Sequence, residues 1–118
     1  MPYRKMVFVA AVAICAIAAV AAQIDPRTAL VERAAWEALG KGQARQAASA
    51  FREAIAADPK NARLHLGSGI AAMLERRDRD AGDAFETALA LDPKLTEARA
   101  RLGVVRYRMG DTAGAIRT

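Results

Sequence analysis

The sequence repeats itself at a fixed interval of 34 residues. Six identities share that offset, and such a set is not expected by chance. They are Ala47, Phe51, Ala54, Asp58, Pro59 and Lys60, matched by Ala81, Phe85, Ala88, Asp92, Pro93 and Lys94. A repeat of this length indicates a structural unit that stacks on copies of itself, because one copy alone cannot bury its apolar face.

The spacing within each copy predicts two helices joined by a short turn. Ala47, Phe51 and Ala54 are four and three residues apart, which places them on one face of a helix. Asp58 precedes a proline and so ends that helix. We predict helices over residues 28–41, 45–57, 62–75, 79–91 and 96–109, and a short one from 112 to the end. Asn61 and Thr96 stand where a side-chain oxygen could cap the helix that follows.

Composition favours an all-α protein without a catalytic or metal centre. Of the 118 residues 53% are apolar but only 5% aromatic, and alanine, a strong helix former, is the commonest. One cysteine excludes a disulfide framework and a thiolate zinc site. His65 is the single histidine and is expected to be structural. The acidic residues over 75–86 are interleaved with arginines, which indicates a solvated turn rather than paired catalytic carboxylates. No cofactor and no enzyme activity are expected from this chain.

An export segment is predicted at residues 1–22. Residues 6–22 are apolar and uncharged, follow Arg4 and Lys5, and fade into small side chains before Gln23, which is the pattern of a cleavable signal peptide. The alternatives are a retained anchor, since 17 residues span about 26 Å of a ~30 Å hydrocarbon core, and a buried helix. Signal peptide and anchor both place the rest of the chain outside the cytoplasm, as a periplasmic or secreted protein or as a single-pass membrane protein.

In these positions the chain resembles the tetratricopeptide repeat family. The repeat-core positions of that family fall on Ala47, Phe51, Ala54, Pro59, Ala81, Phe85, Ala88 and Pro93. Three copies fit its frame, at residues 28–61, 62–95 and 96–118. The first helices fit less well, because the usual bulky position holds Val31, His65 and Arg99, and the turn glycine of the second copy is Arg76. The resemblance implies a right-handed superhelical solenoid with two full repeats and a truncated third.

The resemblance also implies a concave face, lined by the first helix of each copy, that binds a protein or peptide partner. The groove residues would be Trp36, Leu39, Leu66, Ile70, Met73, Arg101, Val104, Tyr107 and Arg108. Packing within the chain is the alternative role for the apolar members of this set. In the family's chaperone-binding version lysines and asparagines grip a terminal carboxylate, and the matching residues here are Glu32, Trp36, Gly67, Glu97 and Arg101. Only Arg101 fits, so that class of ligand is not expected.

The net charge of +5 is concentrated at the two ends of the sequence. Arg4 and Lys5 precede the apolar run, and the remaining excess lies after residue 93. The predicted export argues against a nucleic-acid partner. Arg101 and Arg108, seven residues apart, share a helix face, which suggests an acidic or phosphate-bearing ligand as a lesser hypothesis.

The third copy stops one residue before the position of Phe51 and Phe85 in the earlier copies. This leads to two expectations: the sequence continues into a longer protein, or the unfinished third repeat self-associates with another chain. The predicted function is an exported module for protein–protein interaction or scaffolding in the cell envelope. The alternative is the N-terminal scaffold of a longer exported enzyme whose catalytic domain follows.

Overall fold

The computed structural model describes residues 25–118, and the secondary-structure elements of this part of the chain are all helices. Its helices are α1 (Pro26–Gly40), α2 (Ala44–Ala57), α3 (Ala62–Leu74), α4 (Asp78–Leu91), α5 (Thr96–Arg108) and α6 (Thr112–Arg117). Every boundary lies within two residues of its predicted position, and the predicted all-α solenoid is confirmed. The predicted export segment lies outside the described residues. Within residues 25–118, no helix is both long and apolar enough to cross a membrane.

One of the two predicted helix caps is confirmed and the other is wrong. The Asn61 side chain accepts a hydrogen bond from the amide of Arg63 at 3.2 Å, and α3 follows it. Thr96, by contrast, is the first residue of α5, and Leu95 before it makes no side-chain cap. The Thr96 hydroxyl instead donates to the Lys94 carbonyl at 3.3 Å.

The turn inside each helix pair has the same geometry in all three pairs. Gly42, Arg76 and Gly110, each 34 residues apart, have left-handed backbone angles with φ of 73°, 61° and 84°. The amide of each donates to the carbonyl three residues earlier at 3.0 Å, and the next amide reaches five residues back at 2.8–2.9 Å. This pair of bonds closes the end of a helix and normally uses glycine. Arg76 adopts the same angles at a conformational cost of about 1–2 kcal/mol.

The helices stack so that the first helices of the pairs touch one another. Each helix packs on the next one in sequence, and in addition α1 contacts α3, and α3 contacts α5. Within the described region the backbones of the second helices, α2, α4 and α6, do not approach one another closely. The surface formed by α1, α3 and α5 is therefore continuous, and we call it the first-helix face.

Two phenylalanines pack against two glycines of α3. Phe51 from α2 and Phe85 from α4 are both fully buried. A Cβ atom at Gly67 would overlap the ring of Phe51, and one at Gly69 would come within 2.5 Å of the ring of Phe85. The absence of a side chain at both glycines is what lets α2 and α4 approach α3 from opposite sides.

The predicted repeat core is buried except at its prolines. Its four alanines are at most 1% exposed; they are Ala47, Ala54, Ala81 and Ala88. Pro59 and Pro93 are exposed instead, at the junctions between helix pairs, so their assignment to the core is wrong. Their carbonyls take part in the fold: His65 Nε2 donates to the carbonyl of Pro59 at 2.8 Å, and Arg99 Nη2 to that of Pro93 at 2.6 Å. Two unlike residues at the equivalent position thus make the same contact across a junction.

We predict that Arg76→Gly stabilises the protein. Glycine reaches the left-handed region without a steric penalty, so the free energy of unfolding should rise by about 1 kcal/mol. Urea denaturation followed by circular dichroism measures the change. Arg76→Ala is the control, because it removes the long side chain but keeps the Cβ atom. An equal gain from both variants would show that the Arg76 side chain, not its backbone, is the source of strain.

We also predict that Gly69→Ala destabilises the stack by about 1–3 kcal/mol, because the added methyl group meets the buried ring of Phe85. Gly40→Ala is the matched control. Gly40 lies in the last turn of α1, and no atom is within 4 Å of the place that the added methyl group would take. This variant should therefore gain roughly 0.5–1 kcal/mol from helix propensity. The same urea titration applies, and equal effects at the two positions would contradict the packing described above.

Candidate functional site

Equivalent positions on α1, α3 and α5 form two apolar rows along the first-helix face. One row is Trp36, Ile70 and Val104, and the other is Leu39, Met73 and Tyr107. In both rows the residue on α5 is the most exposed. Ile70 is 9% exposed against 50% for Val104, and half-buried Met73 is followed by Tyr107 at 68%. The predicted groove is therefore mostly covered in the first two helix pairs and open in the third.

Trp36 is part of the interior packing. Its ring meets the Phe51 ring edge-on, with centroids 5.0 Å apart and planes at 83°. The guanidinium of Arg63 lies 5.6 Å from the Trp36 centroid, so one face of the indole is covered by a cation. Trp36 and Leu39 pack against both buried clusters of the protein and join them.

The predicted groove residues of α3 also belong largely to the core. Leu66 is 1% exposed and, with Ile70, is a member of the buried cluster that surrounds Phe85. Met73 packs against the same cluster and is half-buried. Leu66 offers no surface to a partner in this arrangement, and Ile70 offers very little.

Four large apolar side chains are exposed on the first helices: Leu30 on α1, and three on α3 and α5 that we call the open part of the first-helix face. Val104 and Tyr107 are exposed on α5, and Leu74, at the end of α3, is 54% exposed. Sequence reasoning missed Leu74, because the equivalent positions hold Gly40 and Arg108 and the periodic pattern gives no apolar signal there. Its sequence position does give one signal: Leu74 is an apolar residue at the end of a helix, next to the connecting turn, where side chains are often exposed.

The two predicted arginines of the groove are already paired within the chain. Arg101 donates twice to one oxygen of Glu97, at 3.0 and 3.1 Å. Arg108 Nη2 lies 3.0 Å from Asp78 Oδ1, so the two side chains form an ion pair. Both atoms are inaccessible to solvent, and their geometry does not meet the angles of a hydrogen bond. An anionic ligand at Arg101 or Arg108 would have to displace these carboxylates.

Other basic residues of the third helix pair are engaged as well. Arg106 lies 3.1 Å from Glu86 and also donates to the Thr118 hydroxyl, and Arg99 binds a backbone carbonyl. Much of the excess charge of this region is thus used in holding α4, α5 and α6 together, which weakens the hypothesis of an acidic or phosphate ligand.

Acidic residues at the turn between α3 and α4 and in the first turn of α4 form ion pairs. Arg77 lies 3.4 Å from Glu75 and 3.1 Å from Asp80. In residues 25–118 no three histidine, cysteine, aspartate or glutamate side chains come together in a way that could hold a metal ion. At the far end of the face, Lys41 donates to Glu37 at 2.9 Å and thereby lowers the pKa of that carboxyl. These contacts hold charges at the surface and create no reactive group.

Comparison with known proteins identifies the repeat. The model of the tetratricopeptide repeat family matches residues 32–96, which is more than half of the chain. Among proteins of curated function, none matches this sequence significantly.

Solved structures of low sequence identity share the fold. The TPR domain of Sgt2 from Aspergillus fumigatus superposes with a TM-score of 0.72 at 24% identity, over 77% of this chain and 60% of that domain. The TPR2B domain of yeast Sti1, solved in complex with pHsp70, gives 0.76 at 19% identity, over 79% and 74% of the two chains. The second TPR of Spaghetti (RPAP3), bound to the HSP90 peptide SRMEEVD, gives 0.75 at 23% identity, over 78% and 85%.

The present chain thus spans 60% of the Aspergillus domain. The 34-residue period, the paired helices with their repeated turns, the family match and these structural neighbours agree with one another. The chain belongs to the tetratricopeptide repeat family.

Proposed function

We propose that this chain is an exported module that binds a segment of a partner protein on the open part of the first-helix face. The observation that carries the proposal is the exposure of Val104 and Tyr107 on α5 and of Leu74 at the end of α3, in contrast to buried Ile70 and half-buried Met73. Aromatic and aliphatic side chains of this kind act as anchors at protein interfaces. Tetratricopeptide repeats are protein-interaction modules, and residues 25–118 contain no cluster of acidic, histidine or cysteine side chains that could hold a metal ion.

The expected partner segment is apolar rather than an acidic chain end. The Sti1 and Spaghetti domains were solved with pHsp70 and with an HSP90 peptide, and this chain shares their fold. It differs at the positions matched to the carboxylate-gripping residues, which here include Glu32, Trp36 and Gly67. Trp36 packs on the ring of Phe51, and the same ring occupies the space that a side chain at position 67 would need. We therefore expect the partner to contribute aliphatic or aromatic side chains that cover Val104 and Tyr107.

The binding prediction is tested by placing charge on the open part of the face. Val104→Glu with Tyr107→Glu should weaken binding of an envelope partner at least about tenfold, because two anchor contacts are replaced by carboxylates. Binding is measured by pull-down from envelope extracts and then by titration with the purified partner. Positions 36 and 70 are unsuitable for this test, because both side chains pack in the core and a glutamate there would unfold the protein.

Ile116→Glu is the control for this experiment. Ile116 is 82% exposed but lies on α6, a second helix, away from the first-helix face. It should leave binding unchanged, and the circular dichroism of all variants should match that of the parent. Retained binding by the double variant, or equal loss in the control, would contradict the proposed site.

The export part of the proposal depends on the sequence before residue 23. A fusion of alkaline phosphatase after Thr118 should be active in cells, because that enzyme requires an oxidising compartment. Val9→Arg with Val12→Arg should reduce the activity at least about tenfold, since charges in the apolar run oppose membrane insertion. An inactive parent fusion would contradict export. Sequencing of the exported N-terminus then separates cleavage near Ala22 or Gln23 from a retained anchor.

A further inference from the structure

The second helix pair differs from the first at two positions that are two residues apart. Leu74 stands where the first pair has Gly40, and Arg76 stands where it has Gly42. Leu74 is the last residue of α3, Arg76 lies in the turn that follows, and both side chains are exposed. An apolar and a cationic side chain thus occupy the place of two glycines, and the apolar one belongs to the open part of the first-helix face.

The backbone of Arg76 makes an arginine unfavourable at this turn. Its φ of 61° lies in the left-handed region, which favours glycine over any residue with a Cβ atom. Packing does not offset this cost, because at the equivalent Gly42 and Gly110 no atom lies within 4 Å of the place that a Cβ atom would take. Backbone strain of this kind is concentrated at functional sites, so the Arg76 side chain is a candidate for a role in binding.

The Arg76 guanidinium makes no ion pair and no hydrogen bond with the side chains of residues 25–118. The carboxylates near it in the sequence are held by other arginines: Glu75 and Asp80 by Arg77, and Asp78 by an arginine of α5. The turn therefore presents one exposed cation without a partner in the described part of the chain. A guanidinium binds a carboxylate through two parallel hydrogen bonds, and arginine is enriched at protein interfaces.

We propose that Arg76 binds an acidic side chain of the partner segment that covers Leu74 and Tyr107. This inference rests on the proposed function and adds one requirement to it, which is a carboxylate beside the apolar anchors of the segment. That carboxylate belongs to a side chain within the segment and not to a chain end. A charge at the rim of an interface contributes more to the choice of partner and to the rate of association than to affinity. The protein thus loses some stability at this turn and gains specificity at the adjoining surface.

Peptide selection tests the proposal with a defined probe. The full chain is used to select binders from a library of random peptides displayed on phage, and peptides that also bind the Val104→Glu, Tyr107→Glu variant are discarded. The retained peptides should share an aspartate or glutamate beside aliphatic or aromatic residues. The same selection against Arg76→Gly should give apolar peptides without an acidic preference. Apolar peptides without a shared acidic residue from the parent would overturn this inference and leave the proposed function intact. If no peptide is retained, the proposed function fails, and this inference fails with it.

Titration of one selected peptide gives the second measurement. Arg76→Gly and Arg76→Gln should each weaken its binding about fivefold at low ionic strength, and less at high ionic strength, because exposed charges are screened by salt. Arg76→Gly should at the same time make the protein more stable in urea, and loss of folding cannot produce that combination. Unchanged binding by both variants would overturn the proposal.

Arg79→Gln is the matched control, since it removes the same charge. Arg79 is exposed on α4 and forms no ion pair within residues 25–118. It lines a cavity between α4, α5 and α6 to which no residue of the open part of the first-helix face contributes. Peptide binding should be unchanged in this variant. A loss equal to that of Arg76→Gln would show a general effect of net charge and would overturn the assignment to Arg76.

Discussion

The close contact of two phenylalanine rings with two glycines of α3 is the constraint on which the rest of the structure depends. Phe51 occupies the space left open at Gly67, and Phe85 the space at Gly69. Because these glycines have no side chain, the rings fill a volume that would otherwise belong to α3 itself, and dense packing of this kind tolerates little change. With α2 and α4 held on α3 in this way, the first helices lie in contact and form one face.

The same packing limits how much of the first-helix face is available for binding. α3 covers part of α1, and α5 covers part of α3. A side chain in the row of Trp36, Ile70 and Val104 therefore packs in the interior where the next first helix lies against it. This explains why Ile70 is buried whereas Val104, at the equivalent position, is exposed. At the other end of the row, the guanidinium of Arg63 covers one face of Trp36.

Periodicity in the sequence was sufficient to predict the helices, their pairing and the buried alanines and phenylalanines. It could not predict features that depend on neighbours outside one repeat. Equivalent positions such as 70 and 104 have the same periodic role but different exposure, because different helices lie beside them. Arg76 shows the opposite: here an arginine stands where the other repeats have glycine, yet the turn hydrogen bonds give it the same left-handed backbone geometry. The ion pairs of Arg101 and Arg108 also went unrecognised, since their partners were not evident from spacing alone.

The central claim is that a partner protein contacts the first-helix face on α5. Site-specific photo-crosslinking in living cells tests it most directly, with a photoreactive amino acid placed at position 107 in one strain and at position 116 in another. Tyr107 and Ile116 are both well exposed, so neither substitution should disturb the core. The account predicts one discrete adduct in the envelope fraction from position 107 and none from position 116. An adduct from position 116 alone would contradict it.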